Sequence, residues 1–426
     1  MRVLLLGSGG RESALAWSLA RSGAVELAAM PGNPGIGRMS DLLQGDASDP
    51  LTVVGAARRI TADLIVVGPE APLVNGVGDA LRAEGFKVFG PNAAAARIEG
   101  SKAYAKELMA KAEVPTGQGR AFDRVDEATA FMDELGPPYV IKADGLAAGK
   151  GVVVTSDRGE AVGAIEDRLV RGSFGQAGRV VVIEEFLDGQ ETSVIAFTDG
   201  RSVVSCEPAQ DYKRVSDDDA GPNTGGMGSY SPVPACPPEV LDQIVADVIE
   251  PLVRQTAADG APFVGALYAG LALTSKGPRV IEFNARFGDP ETQALLPRLE
   301  SDLAEICLAC ATGDLEGTKL QWSPDRCVSV VLASGGYPGS HETGFEISGI
   351  DDAEARGALV FQAGTSMDGD RLVTAGGRVL AVSALGAGYE AARSLAYDAA
   401  SKIEFEGRHM RTDIAARAER AEKETA

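Results

Sequence analysis

Histidine is almost missing from this chain: two residues in 426. A proton shuttle built on imidazole is therefore not expected. Positive charge is also short. Forty Lys and Arg stand against 61 Asp and Glu, a formal net charge of −21, which argues against nucleic acid or an anionic membrane as the main partner. A small anionic substrate is not excluded, because a few local cations and backbone N–H groups suffice to hold phosphate. Long apolar runs are lacking as well. The opening "MRVLLLGSGGRE" breaks into Gly and charge too soon for a signal segment, and no apolar stretch of about 18 residues follows. Cysteine is sparse and odd in number (206, 236, 307, 310, 327), with no disulfide framework, so a reducing cytoplasm is expected. Cys307 and Cys310 form a C-x-x-C, but with no second pair and an apolar helical flank they read as packing residues.

What is present is ordinary for a globular protein: 45% hydrophobic and 24% charged residues. The length exceeds one core and implies two to four domains. "RVLLLG" followed by "SGGRESALAWSLARSG" reads as strand, Gly-rich turn and amphipathic helix. "ADLIVVGPEAPLVNGVGDALRAEG" repeats the plan and "FKVFGPN" adds a short strand. This alternation predicts a parallel-sheet domain over residues 1–99. Its "GSGG" turn is not a full G-x-G-x-x-G, since position 12 is Glu; it suits an anion at a helix N-terminus better than a dinucleotide. From residue 100 the pattern turns α+β: a helix in "SKAYAKELMAKAEVP", two strands flanking a loop in "PPYVIKADGLAAGKGVVVTS", and two more in "RVVVIEEFLDGQETSVIAFTDG". The stretch 210–234 has neither helical nor strand periodicity and reads as a long functional or disordered loop. Residues 265–288 read as a hairpin. The block 326–426 reads as a small β-rich domain.

Chemistry concentrates at "VIEFNARFGDPETQ". Glu282 and Asn284 are two apart at the end of a strand, so they share a face. A carboxylate and an amide oxygen suit a hard divalent cation that keeps phosphate and water in its shell; a solvated strand end is the plain alternative. Lys102 opens a helix and Lys142 ends the strand "YVIK". Gly145, Gly149 and Gly151 lie in a loop whose N–H groups could cover phosphates, although it is not a Walker A sequence. "VIEEFLDGQE" offers a connector for an adenine edge, with Glu191 placed for a ribose.

In this order the two lysines, the glycine loop, the acidic connector and the Glu-x-Asn end resemble the ATP-grasp fold. With "GSGGRE", "GPEAPLVNG", "GSKAYAKELM", "KADGLAAGKGV", "GPNTGGMGSYSP" and "RFGDPETQ", nearly the whole chain resembles the phosphoribosylamine–glycine ligase family. The resemblance implies an N-terminal Rossmann-like domain over 1–99, an ATP-grasp domain over 100–325 with a lid subdomain at about 118–188, and a C-terminal domain over 326–426. It implies ATP and Mg²⁺ or Mn²⁺ as cofactors, and glycine and 5-phosphoribosylamine as substrates of a monomeric cytoplasmic enzyme. Glu282 and Asn284 would hold the metal. Lys102, Lys142, Gly149, Glu184, Leu187 and Glu191 would hold the nucleotide. Arg286, Asp289 and Lys142 would be catalytic. Gly9, Gly10, Pro69, Glu70, Asn75, Asp211 and Lys213 would meet the substrates. Three positions depart from the family pattern: Ser13, Tyr212 and Gln362 stand where it usually has histidine. Another ATP-grasp carboxylate–amine ligase, a silent nucleotide-binding scaffold, and an NAD-dependent dehydrogenase resting on the "GSGG" turn alone are the competing readings.

Overall fold

The computed structural model describes residues 1–146, 151–173 and 175–425, and the side chains of all of these except residues 176, 177 and 425. The N-terminal strands line up as Asp41–Leu42, Glu26–Pro31, Arg2–Gly7, Leu64–Val67 and Val88–Phe89, all parallel. Helices cover both faces of this sheet, which is why its central strands are near-continuous Val, Leu and Ile: Val3–Leu6 and Leu64–Val66 are wholly buried. Each such side chain contributes about 1.5–3 kcal/mol of burial.

Two antiparallel sheets follow. The first runs Gly119–Phe122, Val181–Glu184, Tyr139–Ala143, Val152–Thr155. Helices Val125–Leu135 and Arg158–Leu169 cover it, and Phe131, Met132, Ile141, Ile165 and Ile183 form a core cluster separate from the rest of the molecule. The second runs Val203–Ser205, Gln190–Asp199, Val264–Thr274, Gly277–Asn284. The last two strands form the hairpin expected at 265–288.

The stretch 210–234 is not a structureless loop. It supplies Gln210–Asp211 and Gly228–Ser231 to the C-terminal sheet, whose order continues through Arg326–Ala333, Arg378–Gly386 and Leu359–Gln362. Between them Arg214–Ser216 pairs with Ala220–Asn223. These strands are two to four residues long, too short to show a period, so only tertiary pairing reveals them. The C-terminal sheet therefore draws strands from both sides of residue 325. All five cysteines are free and buried; burial pushes the Cys307 and Cys310 thiols up, in keeping with packing. Among the described residues no helix is long and apolar enough to cross a membrane.

Candidate active site

The two antiparallel sheets meet at the ends of the strands that carry the charged residues. Ser101 caps helix Lys102–Lys111 by accepting from the Tyr104 N–H at 3.1 Å, and Asp144 accepts from both the Ser101 hydroxyl (3.1 Å) and the Ala103 N–H (3.0 Å). This fixes Lys102 in the first helical turn, the end at which a cation is electrostatically disfavoured. Its Nζ donates to the Gly145 carbonyl at 3.2 Å. Burial holds the Lys102 ammonium below its ordinary value, against the pull of Glu282 and with the push of Lys142. A cation placed there is poised for an arriving anion.

Lys142 is buried at the end of its strand, bonded to Glu184 Oε2 at 2.8 Å and to the Ile281 carbonyl at 3.0 Å. Those contacts join the first sheet to the strand of Glu282. Burial lowers the Lys142 pKa, but Glu184, Glu282 and Glu191 outweigh it and leave it raised. For Glu282 burial raises the carboxyl, yet Lys213, Lys142, Lys102 and Arg286 together hold it below the carboxylate range. Lys213 lies 2.7 Å from Asp211 and 3.7 Å from Glu191.

A second cluster lies beyond the strand end. Arg286 pairs with Glu99 at 2.8 Å and Glu70 at 3.3 Å, and Arg11 reaches Glu70 at 4.0 Å. Burial opposes the Arg286 charge, but Glu99, Glu70 and Glu291 raise its pKa further still. Asp289 pairs with Arg378 at 3.2 Å and accepts from Gln293 Nε2 at 2.8 Å. It lines a cavity of about 270 Å³ with Ser8, Gly9, Gly10, Gln293 and Arg378.

The predicted residues thus fall into two groups. Lys102, Lys142, Glu184, Glu191, Asp211, Lys213 and Glu282 lie at the sheet junction. Asn284 follows two residues on, paired in register with Tyr268. Gly9, Gly10, Glu70, Arg286 and Asp289 gather against the N-terminal domain. Leu187 lies on the connector beside Gly117, where a Cβ would stand 3.3 Å from its Cδ2. Pro69 precedes the short helix Glu70–Val74, and Asn75 ends it, exposed and donating to the Ser48 carbonyl at 3.4 Å. Gly149 lies outside the described residues. The "GSGG" turn does begin a helix, but Glu12 reaches back to accept the Gly9 N–H at 2.7 Å. Gly7 and Gly68 leave room for that carboxylate, since a Cβ at either would collide with it.

Lys106 and Glu291, at or beside the sheet junction, escaped the sequence reading. Lys106 donates to Thr116 Oγ1 (3.0 Å) and the Gly117 carbonyl (2.8 Å) and lies 3.5 Å from Glu184. Its position one helical turn after Lys102 was the available signal. Glu291 is buried, accepting from Ser193 Oγ at 3.0 Å and Tyr268 OH at 2.9 Å.

The departures also resolve. Tyr212 points away from its neighbours Asp211 and Lys213: its hydroxyl accepts the Ala415 N–H at 2.9 Å, and the Arg411 guanidinium lies 4.7 Å from its ring centre. It serves packing. Ser13 and Gln362 meet each other, the Ser13 hydroxyl donating to the Gln362 carbonyl while Asn33 Nδ2 donates to both, at 3.0 and 2.8 Å.

Family models for phosphoribosylglycinamide synthetase match along the chain: the N domain at 1–99, the ATP-grasp (A) domain at 100–292 and the C domain at 327–417. The phosphoribosylamine–glycine ligase of Rhizobium meliloti is 49% identical over 419 residues, covering 98% of this chain and 99% of its own. That of Streptomyces coelicolor is 51% identical over 423 residues, with 98% and 99% covered. The chain belongs to the phosphoribosylamine–glycine ligase family. The crystal structure of the Thermotoga maritima phosphoribosylamine–glycine ligase superposes with a TM-score of 0.83 at 34% identity, covering 97% of this chain and all of that one. The biotin carboxylase of Campylobacter jejuni shares the fold alone, with a TM-score of 0.72 at 16% identity over 96% of this chain and 92% of its own.

Proposed function

We propose that the chain joins glycine to 5-phosphoribosylamine at the expense of ATP, giving glycinamide ribonucleotide, ADP and phosphate in purine biosynthesis. The observation that carries this reading is the gathering of Lys102, Lys142 and Lys213 around the ionised Glu282, in a chain matched along nearly its whole length by this family. An amide does not form from a free carboxylate, because oxide is too poor a leaving group. In our reading a glycine carboxylate oxygen attacks the γ-phosphorus of ATP and the bond to ADP breaks. The amine nitrogen then attacks the carbonyl carbon of the glycyl phosphate, the C–O bond to phosphate breaks, and the nitrogen sheds a proton.

Lys102 and Lys142 neutralise the nucleotide's phosphates, a task for fixed cations aimed at transferring charge. Glu184, Leu187 and Glu191 line the adenosine, the first two partly through backbone atoms. Asp211 and Lys213 sit close to the substrates. Arg286 and Asp289 flank the reacting carboxylate, and Gly9, Gly10, Pro69, Glu70 and Asn75 lie toward the ribose phosphate. Glu282 and Asn284 fit a divalent cation by their chemistry, one carboxylate kept ionised and one amide oxygen two residues on along the strand. Mg²⁺ or Mn²⁺ held there would neutralise phosphate charge. The separately cored sheet over Gly119–Phe122 and Val181–Glu184 suits a lid that shields the acyl phosphate from water. We place the protein in the cytoplasm as a monomer acting on these small molecules. ATP turnover with glycine, with and without 5-phosphoribosylamine, tests the reading: ADP should form with the amide only when both are present, and turnover indifferent to either would refute it.

A further inference from the structure

Arg378 belongs to the C-terminal sheet, yet its side chain ends at the candidate site. Its Nη1 donates to the Gly225 carbonyl at 2.6 Å and to the Asp289 carbonyl at 2.9 Å, and its Nη2 meets Asp289 Oδ2 at 3.2 Å. Asp289 Oδ1 is taken from the other side by Gln293 Nε2 at 2.8 Å. Each oxygen of the Asp289 carboxylate thus has its own fixed partner, on a residue that lines the cavity beside Gly9 and Gly10. Gly225 has no side chain where one would crowd this arginine: a Cβ there would sit 3.0 Å from Cζ. One guanidinium therefore holds together the "GPNTGGMG" segment, the "RFGDP" segment and the C-terminal sheet. A lysine carries the charge but has no planar fork to reach two carbonyls and a carboxylate at once.

We propose that Arg378 is a positioning residue, orienting Asp289 beside the reacting carboxylate, where the amine of 5-phosphoribosylamine attacks, and making the C-terminal domain a working part of the site. The inference rests on the function proposed above, in which Asp289 faces the reacting groups. A tether that merely holds domains together would have no need to grip the side-chain carboxylate. Charged groups facing Asp289 besides Arg378 include Arg11 and Glu12, both on the helix Gly10–Ala20, and Arg286, on its own segment. All of these remain when Arg378 is replaced.

The test compares wild type, Arg378→Met and Arg378→Lys by steady-state kinetics across pH, with thermal melts as a check on folding. Arg378→Met should lower kcat/KM for 5-phosphoribosylamine by about 10- to 100-fold, the range for losing a charged hydrogen-bonding partner, while the KM for ATP stays within about twofold. The acid limb of its pH profile should move to higher pH, because the cation on the carboxylate is gone. Arg378→Lys should return the limb to its wild-type place with a rate still below wild type. A folded Arg378→Met with wild-type rate and limb overturns the inference, and so does a lost rate with an unmoved limb. If Arg378→Met does not fold, Arg378→Lys decides alone, and a full wild-type rate in it overturns the inference. Wild type making no glycinamide ribonucleotide would instead defeat the proposed function.

Discussion

Replacing Lys142 by Met keeps the length of the side chain and removes its charge, and the consequences can be worked out bond by bond. Glu184 loses its 2.8 Å partner and keeps Lys106 at 3.5 Å, and the Ile281 carbonyl loses a donor at 3.0 Å. Breaking a buried ion pair from one side costs about 3–5 kcal/mol. Because Lys106 remains, we expect the lower end, about 3 kcal/mol. Catalysis should fall further than stability explains, by about 10²- to 10³-fold, the loss typical of removing one preorganised charge from a site of developing charge. A second substitution separates the two effects. Adding Glu184→Gln removes the stranded carboxylate, so much of the stability should return, whereas the rate should not. Denaturant unfolding followed by fluorescence measures the first, and coupled ADP release the second. A Lys142→Met protein as stable and as active as wild type would refute the reasoning. A double variant that recovers its rate along with its stability would show that Lys142 only supports the fold.

Glu282→Gln is nearly isosteric and should leave the fold intact while reducing metal-dependent turnover by about 10²-fold or more; turnover titrated against Mg²⁺ and Mn²⁺ measures it. Lys106→Met should weaken ATP binding by about tenfold, since Glu184 and the Thr116–Gly117 turn lose their shared donor, read by equilibrium titration with nucleotide. Burial raises the Asp289 carboxyl, but Arg378, Arg11 and Arg286 outweigh it and hold it below the carboxylate range. Its contribution to stability is therefore complete above the unfolded value near about 3.9 and is lost as pH falls through its lower folded value. Asp289→Asn should flatten that acid-side decline in a series of unfolding curves. Tyr212→Phe removes the acceptor for the Ala415 N–H and should cost about 1–3 kcal/mol of stability with kcat little changed.

How far the sequence carried these assignments depended on the range of the interactions. The parallel sheet was legible because apolar strands such as Val3–Leu6 alternate with helical stretches, a local pattern. Glu282 and Asn284 were legible as a pair because a strand puts alternate residues on one face. The strands Gln210–Asp211 and Gly228–Ser231 were not, since Gly228–Ser231 is held by the distant strand Arg326–Ala333, and Gln210–Asp211 joins that sheet by pairing with Gly228–Ser231. Arg378 was missed for the same reason: its partners Gly225 and Asp289 lie 153 and 89 residues off. Tyr212, a departure from the family pattern beside two candidate ligands, showed its packing role only when the C-terminal segment was seen against its ring. Asn75 was selected by motif alone, and the structure places it exposed at a helix end, donating to the Ser48 carbonyl.

The central claim is that the carboxylate oxygen of glycine leaves with the terminal phosphate of ATP. Glycine carrying ¹⁸O in its carboxylate, turned over with ATP and 5-phosphoribosylamine, should pass one labelled oxygen into inorganic phosphate alongside ADP, as read by mass spectrometry. Label recovered in AMP, with pyrophosphate as the coproduct, would contradict the account.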